Sequence, residues 1–295
     1  MDVLNERLTF KAGSLALLLA ILWGGNSISI KIALTGIPPF ALAGVRFLLS
    51  TLIVFGWAVL NRVPLRLEAG EKLTLLQLAL LFIIQIYLLN AGTNFTLASR
   101  STILISTYPF FIALFAHLFL PDDRLSPFKV TGMALAFTGV ILIFAESLAL
   151  GEFSPLPGDM MVLASAILLG ARQVYIKRLT QNIHPVKLVL WQATFSIPAF
   201  FFLSAIFERS TTCRLTPYII EAILYQGLVV AGFCFILLTT LLRRYIASRL
   251  GVFGFATPVI GVIVSNLLLG EGISPGILLG MLLVGGGITI VNRET

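Results

Sequence analysis

Two stretches decide how this chain is read: Ala98-Ser99-Arg100 through Gly132-Met133, and Ala247-Ser248-Arg249 through Gly280-Met281. In the first, Ala-Ser-Arg is followed by an apolar run interrupted at Pro109, then by Asp122, Ser126-Pro127 and Gly132-Met133. In the second, the same order returns as Pro258, Glu271, Ser274-Pro275 and Gly280-Met281, with one residue dropped between the acid and the serine. A helix–turn–helix pattern written twice, half a chain apart, marks two related halves.

Composition sets the medium. Of 295 residues, 58% are hydrophobic and 11% charged, with a mean hydropathy of +1.01. A soluble surface needs about 25–35% charge. Apolar segments of roughly 20 residues recur, the length a helix needs to cross about 30 Å of hydrocarbon. The short alternating segments of a β-barrel are not the pattern here. The expected fold class is all-α integral membrane, with ten transmembrane helices near 12–35, 38–60, 72–97, 100–120, 127–146, 157–179, 185–207, 216–242, 247–270 and 274–292. The first run is too long for a cleavable leader and reads as a membrane helix. Cys213 and Cys234 offer neither metal-ligand spacing nor a disulfide framework. Ser126-Pro127 and Ser274-Pro275 read as helix starts, the hydroxyl capping an orphan amide and the proline presetting φ; His184-Pro185 and Pro38-Pro39 read similarly.

The net charge of +7 has a membrane explanation. With the N-terminus cytoplasmic, fourteen Lys and Arg residues fall inside, among them Arg7, Arg62, Arg124, Arg243 and Arg293, and only Arg100, Arg209 and Arg214 fall outside. That is a positive-inside bias, and it puts both termini in the cytoplasm. No nucleic-acid partner is expected, because the charge is spread over short loops. The partners expected are the lipid bilayer and a small-molecule metabolite, for a monomer or weak homodimer.

The opening spans match too. Gly24 pairs with Gly170, Lys31 with Lys177, Pro39 with Pro185, Arg46 with Gln192 and Ser50 with Ser196. Five crossings per half force the second half into the membrane from the opposite side. The expectation is two inverted five-helix repeats, 1–149 and 150–295. Such halves can exchange roles about a midplane site, which suits alternating access.

Leu22-Trp23-Gly24-Gly25-Asn26, Pro39 through Arg46-Phe47 and the doubled Ala-Ser-Arg…Pro…Asp/Glu…Ser-Pro…Gly-Met pattern together resemble the drug/metabolite transporter superfamily, in its EamA-type branch of ten-helix carriers. The resemblance covers nearly the whole chain. It implies a carrier of small polar metabolites, gradient-dependent or facilitated, most often an exporter, in a bacterial inner membrane. It is weak on substrate, since the superfamily moves amino acids, drugs and other metabolites.

Polar side chains inside spans should face protein or a wet cavity. Trp23 and Asn26 share a helical face beside Gly24 and Gly25, where exposed backbone serves either a pocket and gate or helix packing. Arg46 and Arg172 lie deep, each costing at least about 2.5–3.5 kcal/mol unless compensated. No acid sits at comparable depth, so a substrate carboxylate is one candidate partner and helix-end carbonyls the other. Arg46 aligns with Gln192 and Asn26 with Arg172, one arginine and one amide per half. Tyr87 and Asn90, Tyr175, Trp191 with Gln192, and Gln226 complete the candidate substrate-binding set, although Trp191 suits an interfacial belt equally. Pro109 and Pro258 are candidate hinges or static kinks. His117 is a candidate proton relay, or else a hydrogen-bonded structural residue. Gly132-x-x-x-Ala136 and Gly276-x-x-x-Gly280 predict close helix packing.

The function expected is secondary transport, with export of amino acids or related carboxylated compounds favoured over a multidrug exporter of the same fold. No cofactor, metal or catalytic residue is expected. An integral-membrane enzyme would need an acid pair, a histidine cluster or a nucleophile–base pair in a cavity, and the only histidines are His117 and His184. ATP-driven pumping would need a GxxxxGK[ST] loop, which the sequence lacks.

Overall fold

The computed structural model describes residues 4–68, 70–96, 98–149, 157–208, 213–269 and 275–293; Arg209, Glu271 and Ser274 lie outside them. Helices fill the ten expected segments: Phe10–Leu34, Pro39–Leu60, Glu71–Phe95, Ala98–Phe119, Pro127–Ala149, Pro157–Leu179, Pro185–Phe207, Pro217–Arg244, Ala247–Leu269 and Pro275–Arg293. We number them spans one to ten. By length and composition, spans one to four and six to eight are apolar enough to cross a membrane. Spans five and ten contain the shorter apolar stretches Pro127–Leu142 and Leu278–Arg293. The outer surface is correspondingly apolar, with Phe10, Leu60, Phe202 and Leu282 all well exposed. In a bilayer these side chains meet lipid rather than water.

The helix starts follow the expected chemistry. Ser126 Oγ accepts from the Lys129 amide at 3.1 Å and His184 Nδ1 from the Val186 amide at 3.3 Å. Thr216 caps span eight in the same manner, accepting from the Ile219 amide at 3.3 Å ahead of Pro217. Proline at the first helical position is tolerated because its missing N–H would have no helical partner there.

Spans one, four, eight and nine are not continuous α-helices. Span one breaks at Gly25, between Phe10–Gly24 and Asn26–Leu34. Span four breaks between Ala98–Ile105 and Tyr108–Phe119. Span eight carries a π-helical stretch, Tyr225–Cys234, and span nine a 3₁₀ turn, Val252–Phe255. The sequence suggested kinks at mid-span prolines, and the structure places the prolines differently. Pro109 is the second residue of the helix that restarts after the break, and Pro258 the third residue of Ala256–Leu269. Each begins a helical piece rather than bending one.

The two-fold relation between the halves is visible in contacts. Lys31 Nζ donates to the Thr96 carbonyl at 2.8 Å, closing the turn between spans three and four. Its repeat mate Lys177 donates to the Tyr245 carbonyl at 2.8 Å, closing the turn between spans eight and nine. Spans five and ten meet along a seam of small residues in which Gly132 packs on Gly287 and Gly139 on Gly280. Because Gly132 is the repeat mate of Gly280, and Gly139 of Gly287, these two contacts are images of each other. The Gly132–Ala136 pair enters this intramolecular seam as expected; Gly276 is exposed and Gly280 carries the contact.

The motif's acid also acquires a role, one residue from where the sequence comparison put it. Asp122 adopts a positive φ of 61°, and Asp123 turns inward, accepting from the Ser248 amide at 3.0 Å and from the Ser248 hydroxyl. Lys129 completes the site with an ion pair to Asp123 at 2.7 Å. A buried carboxylate thus caps the start of span nine, where amide groups lack helical partners.

Candidate functional site

A cavity of about 110 Å³ lies between the halves. Its wall takes Trp23, Gly24, Asn26 and Ser27 from span one, Arg46 from span two and Gln85 from span three. Span four adds Thr102, Ser106 and Tyr108, span six Arg172 and Gln173, and span nine Gly254 and Thr257. The broken spans therefore meet at the cavity, where backbone that is not α-helical is tolerated in a membrane. At the span-one break, Tyr225 Oη donates to the Leu22 carbonyl, occupying a group the break frees. A Cβ at Gly25 would lie 3.2 Å from that hydroxyl, which explains glycine there. At the span-four break, Ser106 and Thr107 return their hydroxyls to the Thr102 and Leu104 carbonyls at 2.6 and 2.7 Å.

Arg46 is seven residues into span two and Arg172 seven residues from the end of span six. At about 1.5 Å per residue, each lies about 10 Å from one end of its helix, at opposite ends of the bundle. Both are almost fully buried, at 3% and 4% exposure. Arg46 donates to Gln226 Oε1 at 3.0 Å and Arg172 to Gln192 Oε1 at 3.3 Å. Nε of each has no partner. The Arg46 guanidinium sits over the Phe47 ring at 4.7 Å, and that of Arg172 over Phe82 at 4.9 Å and Phe235 at 5.4 Å. Phe47 and Phe82 pack edge to face at 4.6 Å, so one aromatic cluster underlies both cations. Cation–π contacts of this kind are worth about 0.5–2 kcal/mol each, more when desolvated, which offsets part of the burial cost and supplies no counter-charge. No acidic side chain among the described residues lines the cavity.

The expected site residues divide. Trp23, Asn26, Arg46, Arg172 and Gly24 line the cavity. Gln226 and Gln192 stand behind it as acceptors for the arginines, with Gln192 also lining a smaller adjoining cavity beside Arg172. Tyr87 instead stacks on Phe40 at 4.2 Å, and Asn90 donates to the Pro39 carbonyl at 3.1 Å. Tyr175 donates to Gln77 at 3.1 Å and Trp191 Nε1 to the Leu65 carbonyl at 2.9 Å, both away from the main cavity. His117 is in the last turn of span four, where Nδ1 accepts from the Leu125 amide at 3.3 Å. Gln85, Ser106, Tyr108 and Gln173 were not anticipated. Tyr108 adjoins Pro109 and Gln173 adjoins Arg172, so proximity to a flagged residue was the available signal.

The two repeat-related glycines at the midplane differ in room. A Cβ on Gly170 would lie 2.6 Å from Phe111 Cβ and 2.9 Å from the Ile112 amide nitrogen. On Gly24 it would meet Ile260 Cγ2 at 3.3 Å and the Thr257 carbonyl at 3.4 Å. Ile260 is the repeat position of Phe111, so the same contact is tight in one half and open in the other. Overpacking of a filled site costs about 1–3 kcal/mol. Gly170→Ala is expected to lower the thermal midpoint in detergent measurably, and Gly24→Ala to leave it near wild type. Equal shifts would contradict the asymmetry.

Comparison with known proteins agrees with this architecture. The EamA-like transporter family model matches residues 10–145 and again 156–293. A probable amino-acid metabolite efflux pump of Escherichia coli (strain K12) is 30% identical over 290 residues, covering 95% of this chain and 94% of that protein. The similarly named protein of Salmonella typhimurium is 31% identical over 290 residues, again covering 95% and 94%. The uncharacterized transporter YoaV of Bacillus subtilis is 24% identical over 269 residues, 91% of this chain and 92% of that one. A crystal structure at 18% identity aligns over 97% of this chain and 99% of its own with a TM-score of 0.81, a likeness of fold.

Proposed function

From the premise that the chain belongs to the EamA-like transporter family, and is a multi-pass membrane transporter, we propose that it exports small carboxylated metabolites, amino acids and their relatives foremost, across a bacterial inner membrane. One observation carries the substrate class: two buried arginines, one from each half, line a single cavity without an acid, each keeping an unpartnered Nε. A carboxylate supplies both the missing charge and the missing acceptor, and the planar guanidinium matches it geometrically. Compounds that are only cationic would meet two fixed like charges, which disfavours the multidrug alternative.

The route is alternating access, with 1–149 and 150–295 as the halves that exchange roles. The tight Gly170 contact and the open Gly24 contact support it, because two equivalent halves caught in one state of such a cycle must differ at equivalent contacts. Purified protein in proteoliposomes, offered amino acids, nucleosides and cationic drugs with and without a pH gradient, tests the proposal. Saturable flux with counterflow for the carboxylated compounds is expected. Flux that does not saturate, or saturable flux confined to the cationic drugs, would overturn it.

A further inference from the structure

The cavity wall holds unpartnered acceptors as well as unpartnered donors. Gln85, 1% exposed, donates from Nε2 to Ser165 Oγ at 3.0 Å, while Ser165 Oγ donates to the Gln85 backbone carbonyl at 2.9 Å. A serine hydroxyl has one proton, and this one is committed to the carbonyl. Its oxygen must therefore accept, and the side-chain atom of Gln85 facing it must be the NH2 group. That settles the amide orientation, which at other sites is a matter of assignment. The other end is an oxygen by elimination, and Gln85 Oε1 has no partner. Asn26 Oδ1, on the same cavity, has none either.

A buried amide oxygen without a donor costs about 1–3 kcal/mol, as does a buried guanidinium N–H without an acceptor. The Arg46 and Arg172 Nε groups call for an acceptor, and Gln85 Oε1 and Asn26 Oδ1 call for a donor. We infer that the cavity takes its substrate as a zwitterion, with the carboxylate at the arginines and the ammonium at Gln85 Oε1 supported by Asn26. Gln85 is then a specificity-determining residue for the amine. The inference rests on the carboxylate reading above and extends it. The amine is recognised by neutral carbonyls rather than by an acid. A carboxylate lacking the amine is admitted by the arginines but leaves Gln85 Oε1 unpaired.

The test is counterflow in proteoliposomes with two probes, phenylalanine and 3-phenylpropionate, chosen because Trp23, Tyr108 and Phe235 line the cavity. Wild type is expected to favour phenylalanine in kcat/KM by about ten- to a hundredfold, the range of one hydrogen bond to a charged group. Gln85→Leu should shrink that ratio to within about threefold, consistent with loss of the same bond. Gln85→Glu, which keeps an acceptor at the position, should retain the preference, and Ser165→Ala, which removes the anchor and spares the carbonyl, should retain it too. A purely structural Gln85 would lower both probes together and leave the ratio intact in every variant, which overturns the assignment. Equal saturable flux of the two probes in wild type overturns the zwitterion inference and leaves the carboxylate reading standing. No saturable flux of either overturns both.

Discussion

Arg172→Ala is expected to reduce saturable flux of a carboxylated metabolite by about ten- to a hundredfold, the range of one charged hydrogen bond, and to leave a neutral analogue affected far less. The size follows from what the guanidinium touches. Its protein contacts are Gln192 and the faces of Phe82 and Phe235, none of them charged. The anion it is poised to meet is therefore its only strong partner. Stability should respond little. Removing the residue relieves a burial cost of about 2.5–3.5 kcal/mol, against the cost of about 1–3 kcal/mol for leaving Gln192 Oε1 unpaired. A variant that folds as wild type and fails to carry the anion separates a binding role from an anchoring one. Arg172→Lys should fall between, since it keeps the charge and loses the bidentate fork. Equal loss for the charged and neutral compounds, read by proteoliposome flux, would remove Arg172 from the site.

The same residues show what a membrane sequence exposes and what it conceals. Arg46 and Arg172 stood out because a cation in hydrocarbon needs a reason. The small residues Gly132 and Ala136 stood out because backbones can meet only where side chains are small. Gln85 and Tyr87, two residues apart on one helix, could not be sorted. In a soluble helix the polar face points to water and the apolar stripe to the core; in span three both faces are apolar, so period carries no such information. Tyr87 proved to stack on Phe40, while Gln85 reached the cavity. Span eight hid its geometry for another reason. Its π-helical stretch begins at Tyr225 and departs from the 3.6-residue period by which faces are counted, and Gln226, the partner of Arg46, lies within it. The breaks in spans four and nine were signalled by Pro109 and Pro258 but mislocated, because proline fits the first turn of a helix better than its middle.

The seam between spans five and ten should be the least tolerant place in the molecule. A Cβ on Gly287 would press against the Gly132 carbonyl oxygen and lie 2.6 Å from the Ala136 amide nitrogen and 2.7 Å from its Cβ. On Gly139 it would lie 2.5 Å from the Gly280 carbonyl oxygen and 2.9 Å from Val284 Cγ2. Several of these neighbours are backbone atoms, which no rotamer change can move, so the helices must separate along their contact. Lipid tails are as apolar as the seam, and burial therefore offers no hydrophobic gain to hold the pair together; close van der Waals contact does that work. Gly287→Ala and Gly139→Ala should each lose about 1–3 kcal/mol, and Gly287→Leu should not assemble. The two alanine variants should match, because they are images under the two-fold that relates the halves. Gly286→Ala is the control. Its Cβ would meet nothing nearer than Leu135 Cδ2 at 3.7 Å, so it should stay within about 0.5 kcal/mol of wild type. Thermal unfolding in detergent, followed by size-exclusion, reads all four. A Gly286 loss equal to that of Gly287 would mean that the cost lies in helix propensity or lipid contact rather than in the seam.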